Sequence, residues 1–272
     1  MLGRGQRRRI GQDITEIERG DPAVLSRGTG VALVASWSAR TDQTRSLSML
    51  VRELWRHGYA VAVVSSCEAP GRLTWPVPIP DDVVVARRPN HGYDFGSWST
   101  ALGTWPEVVA DDRVLLVNDS LIGPFGPIDH VLRAFDQSSA DVWGLTSSQQ
   151  ERYHLQSFFL GFRGGVLGEE PLRRFWSGIR HQRTKRKVIR RGELGLARRL
   201  RREGYAMQAY LPAVTLAPPG ANPAVDGWRT LLTFNVPMVK REILTRPEIV
   251  FDGDRVPREL LARFGVDVAA WL

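Results

Sequence analysis

The sequence predicts an α/β fold, with a parallel sheet covered by helices on both faces that becomes a mixed sheet in its second half. Three observations carry this. Short apolar runs alternate with helically spaced segments from Gly30 to Phe135. After residue 140 several strand-like runs follow one another closely. The chain has 272 residues, 43% of them hydrophobic, enough for one large domain with a packed core.

The elements follow in order. Residues 1–27 are polar and Arg-rich and are expected to form a loose basic arm. Gly30 to Ser36 is all but continuously apolar, as a buried strand should be. Ser46 to His57 places Leu47, Leu50, Val51 and Leu54 on one helical face and stops at Gly58. Tyr59 to Ser65 is a second strand. A proline-rich loop from Pro70 to Pro80 leads to a third at Val83 to Ala86. A helix near Gly96 to Leu102 precedes the strand Val114 to Val117.

Pro127 to Phe135 reads as a helix with proline in its first turn. Asp141 to Leu145 and Gln156 to Phe162 read as strands, Pro171 to Ile179 as a helix, and Leu194 to Arg202 as a basic helix ending at Gly204. Tyr205 to Tyr210 is a late strand. The expected organisation is a main domain over 28–215, a Rossmann-like nucleotide half joined to an acceptor half. A helical or irregular extension over 216–272 packs on it.

Composition narrows the function. Cys67 is the single cysteine, which excludes an intrachain disulfide and a cysteine-rich zinc site. No signal-peptide pattern follows the basic start, and Val31 to Ala35 is too short to span a bilayer, so a cytoplasmic protein is expected. Net charge is +8, but the segment 180–202 holds eleven Lys/Arg and one acid, so the rest of the chain is slightly acidic. Such a patch suits an anionic membrane surface or a diphosphate ligand. It lacks the aromatic interleaving of a base-stacking platform, and nucleic acid is not expected. Walker A, Gly-x-Gly-x-x-Gly and Gly-x-Ser-x-Gly sequences are absent, against kinase, NAD-enzyme and α/β-hydrolase readings. The histidines, His57, His91, His130, His154 and His181, lack metal-ligand spacing and are expected in packing or surface roles.

Two polar elements close strand-like runs. Asn118-Asp119-Ser120 follows Val-Leu-Leu-Val, where α/β proteins bind ligands, and a carboxylate there suits a divalent metal or a sugar hydroxyl. Asn90-x-Gly92-x-Asp94-x-Gly96 follows the third strand; its glycines permit close backbone approach, and Asp94 is placed for a ribose or sugar hydroxyl. Glu193 opens the basic helix, either complementing its dipole or acting as a general base toward a cleft.

Four motifs occur in order: Asn-x-Gly-x-Asp-Phe-Gly-Ser-Trp (90–98), Val-Leu-Leu-Val-Asn-Asp-Ser-x-x-Gly-Pro-Phe (114–125), Asp-Val-Trp-Gly-Leu-Thr (141–146) and His-Leu-Gln-Ser-Phe-Phe-Leu-Gly-Phe (154–162). Together with Val236-Pro-Met-Val-Lys-Arg-Glu-Ile-Leu244 they resemble the rhamnan synthesis protein F family of bacterial polysaccharide glycosyltransferases. Segment 192–212 is similar to the Glu-Asp-x-x-Leu-x-x-Arg-Leu-x-x-x-Gly-Tyr pattern of inverting GT-A glycosyltransferases. Glu193 matches its first acid, and Leu194 stands where the second would be. Asn118-Asp119-Ser120 takes the place of the Asp-x-Asp motif with one of its acids.

The resemblance implies a GT-A-like transferase using a nucleotide sugar, with dTDP-L-rhamnose or another deoxyhexose donor as the expectation. It implies that Asp119 coordinates Mg²⁺ or Mn²⁺, or touches the donor directly. Asn90, Gly92, Asp94, Asn118 and Ser120 line the donor site, and Glu193 is the base of an inverting displacement. His154 and Gln156 are expected to face a glycan or lipid-linked acceptor. Arg198, Arg199, Arg201 and Arg202 are expected to face anionic lipid at the inner face of the membrane. The competing readings are a non-catalytic scaffold or glycan-binding module and, less favoured, a basic nucleic-acid-binding protein.

Overall fold

The computed structural model describes residues 13–27, 30–180 and 185–272. Eleven strands fall among them: β1 (Glu16–Arg19), β2 (Val31–Ser36), β3 (Ala60–Ser65), β4 (Val84–Arg87), β5 (Arg113–Asn118), β6 (Leu121–Ile122), β7 (Val142–Ser148), β8 (His154–Leu155), β9 (Phe159–Arg163), β10 (Met207–Leu211) and β11 (Val239–Lys240). The principal helices are α1 (Arg45–Arg56), α2 (Tyr93–Thr104), α3 (Asp129–Asp136), α4 (Glu170–Ser177), α5 (Lys185–Arg191) and α6 (Glu193–Glu203). Short helical turns and one nine-residue helix, Val256–Phe264, fill most of the chain after β10.

The main sheet runs β1-β4-β3-β2-β5-β9-β7-β10, with β8 pairing against β7. β4, β3, β2 and β5 are parallel, β9 enters antiparallel beside β5, and β10 runs parallel to β7. The mixed α/β architecture is therefore the expected one. The parallel strands are buried on both faces, which is why they read as unbroken apolar runs. Side chains alternate between faces along each strand. Ala32, Val34, Leu115 and Val117 pack with α1 and α3, whereas Leu33, Ala35, Val114 and Leu116 pack with α2, α4 and α6. Helix α1 starts where Thr44 Oγ1 accepts the Leu47 N–H at 3.1 Å. On the opposite face the fully buried Trp98 indole donates to the carbonyls of Leu33 (3.2 Å) and Val117 (3.3 Å), bridging β2 and β5.

Three expectations are corrected. Residues 1–12 of the expected arm lie outside the described residues, but Glu16–Arg19 pairs antiparallel with β4, and Leu25 is buried in the core. Only Ile17 in that strand is apolar, so the backbone ladder, not hydrophobic patterning, holds it. Pro127 precedes the Ile128 N-cap instead of occupying the first turn of α3. The expected strand from Gln156 starts three residues later, at Phe159 in β9, and the short β8 (His154–Leu155) precedes it.

The segment after residue 215 is joined to the rest through β11, which pairs antiparallel with β6 (Val239 with Ile122, Lys240 with Leu121). Ile122 shares a core with Trp228, Val239, Ile243, Leu260 and Trp271. Among the described residues no helix is long and apolar enough to cross a membrane.

Candidate active site

From β2 the chain crosses to β3 on one side, while β5 lies on the other. The carboxyl ends of β2 and β5 therefore border the crevice where an α/β sheet reverses its winding and binds ligands. Trp37 follows β2 directly, Asn118 ends β5 and Asp119 follows it. The two strand ends are tied together: the Asp119 N–H donates to the Ala35 carbonyl (3.2 Å), and the Trp37 N–H donates to Asp119 Oδ2 (3.3 Å). The Trp37 ring itself is 57% exposed.

Three further elements reach this crevice. Helix α2 brings Asp94 in its first turn, and Asn118 Nδ2 donates to Asp94 Oδ2 at 2.7 Å. Helix α6 brings Glu193, whose Oε1 accepts both the Ser157 N–H (3.0 Å) and the Ser157 hydroxyl (2.5 Å). The β6–β11 ladder brings Lys240 and Arg241. Lys240 Nζ donates to Ser120 Oγ (2.9 Å) and lies 4.5 Å from the centre of the Phe158 ring. Ser120 Oγ donates in turn to Asn118 Oδ1 (2.6 Å), so a hydrogen-bonded chain runs from Lys240 through Ser120 and Asn118 to Asp94. The Arg241 guanidinium donates to the Asp119 carbonyl (2.8 and 3.3 Å) and stands 3.7 Å from its carboxylate.

Crowding of carboxylates perturbs their chemistry. Burial pushes the Asp94 carboxyl up to about 7, and the charges of Asp119 and Glu193 add to the shift; Lys240 and the Asn118 hydrogen bond oppose it. Asp119 is also raised by burial, against the pull of Arg241, the backbone N–H of Trp37 and Lys240. Two buried carboxyl groups with raised proton affinities in one crevice are the kind of perturbation that clusters at functional sites.

The loop carrying Asn90 and Gly92 is fixed from beneath. Arg88, 1% exposed, donates to the His91 carbonyl (2.6 Å) and to Ser97 Oγ (3.2 Å), and burial lowers its guanidinium to about 10. Gly92 takes a left-handed conformation (φ 85°) at the N-cap of α2. The Asn90 N–H donates to Glu68 Oε1 (3.0 Å).

Asp94, Asn118, Asp119, Ser120 and Glu193 thus converge, while Gly92 lines the neighbouring Arg-lined groove and Asn90 is tied through its backbone to Glu68. His154 and Gln156 are tied into the surrounding structure. His154 is buried with Nδ1 against the Arg152 carbonyl (2.8 Å), and Gln156 accepts from Thr146 Oγ1 (2.7 Å) and donates to Asn222 Oδ1 (3.1 Å). Trp37, Ser157, Lys240 and Arg241 were not anticipated as site residues. Ser36-Trp37-Ser38 follows an apolar run just as Asn118 does, a signal that points to Trp37. Lys240 and Arg241 lie within the C-terminal motif but carry no local sign of a site some 120 residues earlier in the chain.

Beside this crevice lie two Arg-lined grooves. One, of about 470 Å³, runs from Gly92 and Gly192 past Phe95 and Phe175 to Arg174, Arg191 and Arg199. The other, of about 640 Å³, is lined by Lys187, Arg190, Arg198 and Arg202, with Arg191 and Arg199 shared between them. Arg201 differs from its neighbours: it turns to the carbonyls of Ala197 (3.3 Å) and Tyr153 (3.2 Å). His181 lies outside the described residues.

A hard divalent ion prefers several anionic oxygens. Asp119 instead faces a guanidinium, and Lys240 lies close by, so its surroundings fit such an ion poorly. Among the described residues the one group of three metal-type side chains whose ligand atoms all lie within 4.8 Å of one another is Glu53, His57 and Asp129. That cluster lies at the C-terminal end of α1, the opposite edge of the sheet, and Arg56 hydrogen-bonds to both of its carboxylates.

The family model of rhamnan synthesis protein F matches residues 77–261, well over half of the chain. The chain is 42% identical over 82 residues to virulence protein VirA of Vibrio anguillarum, covering 29% of this chain and 25% of that protein. It is 25% identical over 135 residues to the uncharacterized protein y4gN of Sinorhizobium fredii, covering 47% of this chain and 35% of that protein. The matched stretches thus span about a quarter to a third of the length of these curated relatives.

Proposed function

This chain belongs to the rhamnan synthesis protein F family, whose business is polysaccharide synthesis, and from that premise we propose that it is a glycosyltransferase that moves a deoxyhexose, rhamnose first among them, from a nucleotide donor to a glycan or lipid-linked acceptor. The observation that carries this reading is the meeting of Asp94, Asn118, Asp119 and Glu193 at the reversal point of the sheet.

In the proposed mechanism the donor lies across the carboxyl ends of β2 and β5. The exposed Trp37 ring offers a flat apolar face to the base or the sugar. Asn118 and Ser120 hold the strand end in shape, while Asn90, Gly92 and Asp94 border the donor. Asp119 contacts the donor directly in this reading, since its surroundings do not suit a divalent ion. Glu193 is the base. Among the described residues both hydrogen bonds to it fall on Oε1, so Oε2 is the oxygen placed to take the acceptor proton. The deprotonated acceptor oxygen then attacks the anomeric carbon, the bond from that carbon to the diphosphate breaks, and the nucleoside diphosphate leaves. Such a single displacement inverts the anomeric centre.

Arg198, Arg199 and Arg202, with Lys187 and Arg190, are the side chains proposed to meet anionic lipid at the inner membrane face. Arg201 is left out because it is turned toward Tyr153. A second reading, a scaffold that binds donor or glycan without turnover, is favoured by one observation. Leu194, where a second acid is expected, is buried in the core.

The test is nucleotide release from dTDP-L-rhamnose, UDP-sugars and GDP-sugars with and without a rhamnan or lipid-linked glycan acceptor. Acceptor-dependent release from one donor supports the transferase. Donor binding with no release under any acceptor would favour the scaffold.

A further inference from the structure

A leaving nucleoside diphosphate carries charge that must be neutralised, and the surroundings of Asp119 do not favour a metal ion for the task. We propose that the Lys240 ammonium and the Arg241 guanidinium hold the diphosphate of the nucleotide, and that binding does not require a divalent ion. This rests on the donor-site reading above.

The argument starts from how the two cations are placed. The β6–β11 ladder fixes the backbone of Lys240 opposite Leu121, and the Arg241 N–H donates to the Ser120 carbonyl at 2.9 Å. Both side chains are thereby set beside the end of β5, at the mouth of the crevice. Arg241 does not form the two-pronged pair with Asp119 that a structural ion pair favours. Its guanidinium donates instead to the neutral Asp119 backbone carbonyl, and the carboxylate stands off at 3.7 Å. That arrangement aims the planar group through the backbone while the carboxylate stays outside hydrogen-bond distance of it. The side chain stays 31% exposed, and Nη1 is the guanidinium nitrogen that the Asp119 carbonyl does not engage.

Lys240 is aimed by Ser120 and by the Phe158 ring, 4.5 Å away. Its charge acts on both Asp94 and Asp119, so it lies close to the two carboxylates. A fork and a point charge side by side are the usual complement of a diphosphate. A divalent ion in the same space would meet both cations at close range, and Coulomb repulsion there is only partly screened.

Calorimetric titration with dTDP, UDP and GDP decides the matter, each in EDTA and in Mn²⁺. The variants are Lys240→Met, Arg241→Gln and the charge-keeping Lys240→Arg and Arg241→Lys, each first checked by thermal melt. One nucleotide should bind in EDTA with an affinity within about twofold of that in Mn²⁺. The charge-removing variants should weaken it by about 10- to 100-fold, the usual cost of a lost charged hydrogen bond. The charge-keeping variants should retain most of the affinity, which separates loss of charge from damage to the fold. Binding that appears only with Mn²⁺, or equal binding by folded Lys240→Met and Arg241→Gln proteins, overturns this inference and leaves the donor site standing. Absence of binding by all three nucleotides in both buffers removes the donor site itself, and the inference with it.

Discussion

Asn118 donates its side-chain N–H to Asp94 Oδ2 at 2.7 Å, joining the end of one strand to the first turn of a helix that precedes it in the chain. The bond serves a carboxyl group that burial has pushed up to about 7. Its folded-state value lies above the unfolded 3.8, so between about pH 4 and pH 7 the native state holds a proton that the unfolded chain has released. Stability from this group is therefore full at low pH and is lost as pH rises through 7. Asp94→Asn keeps an oxygen for Asn118 and removes the titration. Melts from pH 5 to pH 8 should show the variant gaining on the parent as pH rises from 5 to 7, on the order of 2–4 kcal/mol, with the gap constant above that. Parallel pH profiles for the two proteins would contradict the assignment.

Glu193→Gln removes the proposed base and leaves an oxygen for Ser157. General base catalysis contributes about 10²–10⁴-fold. Turnover should fall by that factor while the dissociation constant for nucleotide stays within about twofold, which steady-state kinetics and titration read separately. A variant with unchanged turnover would leave Glu193 as a helix-terminus carboxylate only.

Gly96 has no room for a side chain. A Cβ there would lie 2.0 Å from the His91 carbonyl oxygen and 3.2 Å from Arg88 Nη2. Gly96→Ala should displace the 90–94 loop and destabilise the protein by about 1–3 kcal/mol in a denaturant melt. Nucleotide affinity should drop with it. A silent substitution would show that the loop gives way freely and does not shape the site.

Trp37 is exposed, so Trp37→Ala should change stability by less than about 0.5 kcal/mol. Stacking of a base on an aromatic ring contributes about 1–3 kcal/mol, and nucleotide binding should weaken by about tenfold. If affinity is unaltered, the ring faces something other than the nucleotide.

Arg198→Glu with Arg202→Glu reverses charge in the larger groove. Co-sedimentation with vesicles containing anionic lipid should be lost, at about 1 kcal/mol per residue, and neutral vesicles should bind neither protein. Retained binding would place the membrane contact elsewhere.

The parallel half of the fold was legible because strands buried on both faces must be apolar along their length, as Val31–Ser36 and Arg113–Asn118 largely are. The polar residues ending Arg113–Asn118 stood out against that background, which made Asn118 and Asp119 visible. Glu16–Arg19 was missed because an edge strand held by backbone bonds needs no apolar pattern. His154 and Gln156 are buried and bonded to Arg152, Thr146 and Asn222, and in sequence such residues look the same as polar residues facing a ligand. Lys240 and Arg241 escaped because only tertiary pairing of β11 with β6 sets them beside Asp119.

That two-residue pairing also has a bearing on protein synthesis. Domains form as the chain emerges, beginning from its start. The carboxylates at 94, 119 and 193 are translated well before the cations at 240 and 241. A ribosome-bound chain stopped short of Lys240 would carry the negative half of the crevice with no counter-charge from β11. The proposed nucleotide pocket would therefore be complete only after nearly nine-tenths of this sequence has been made.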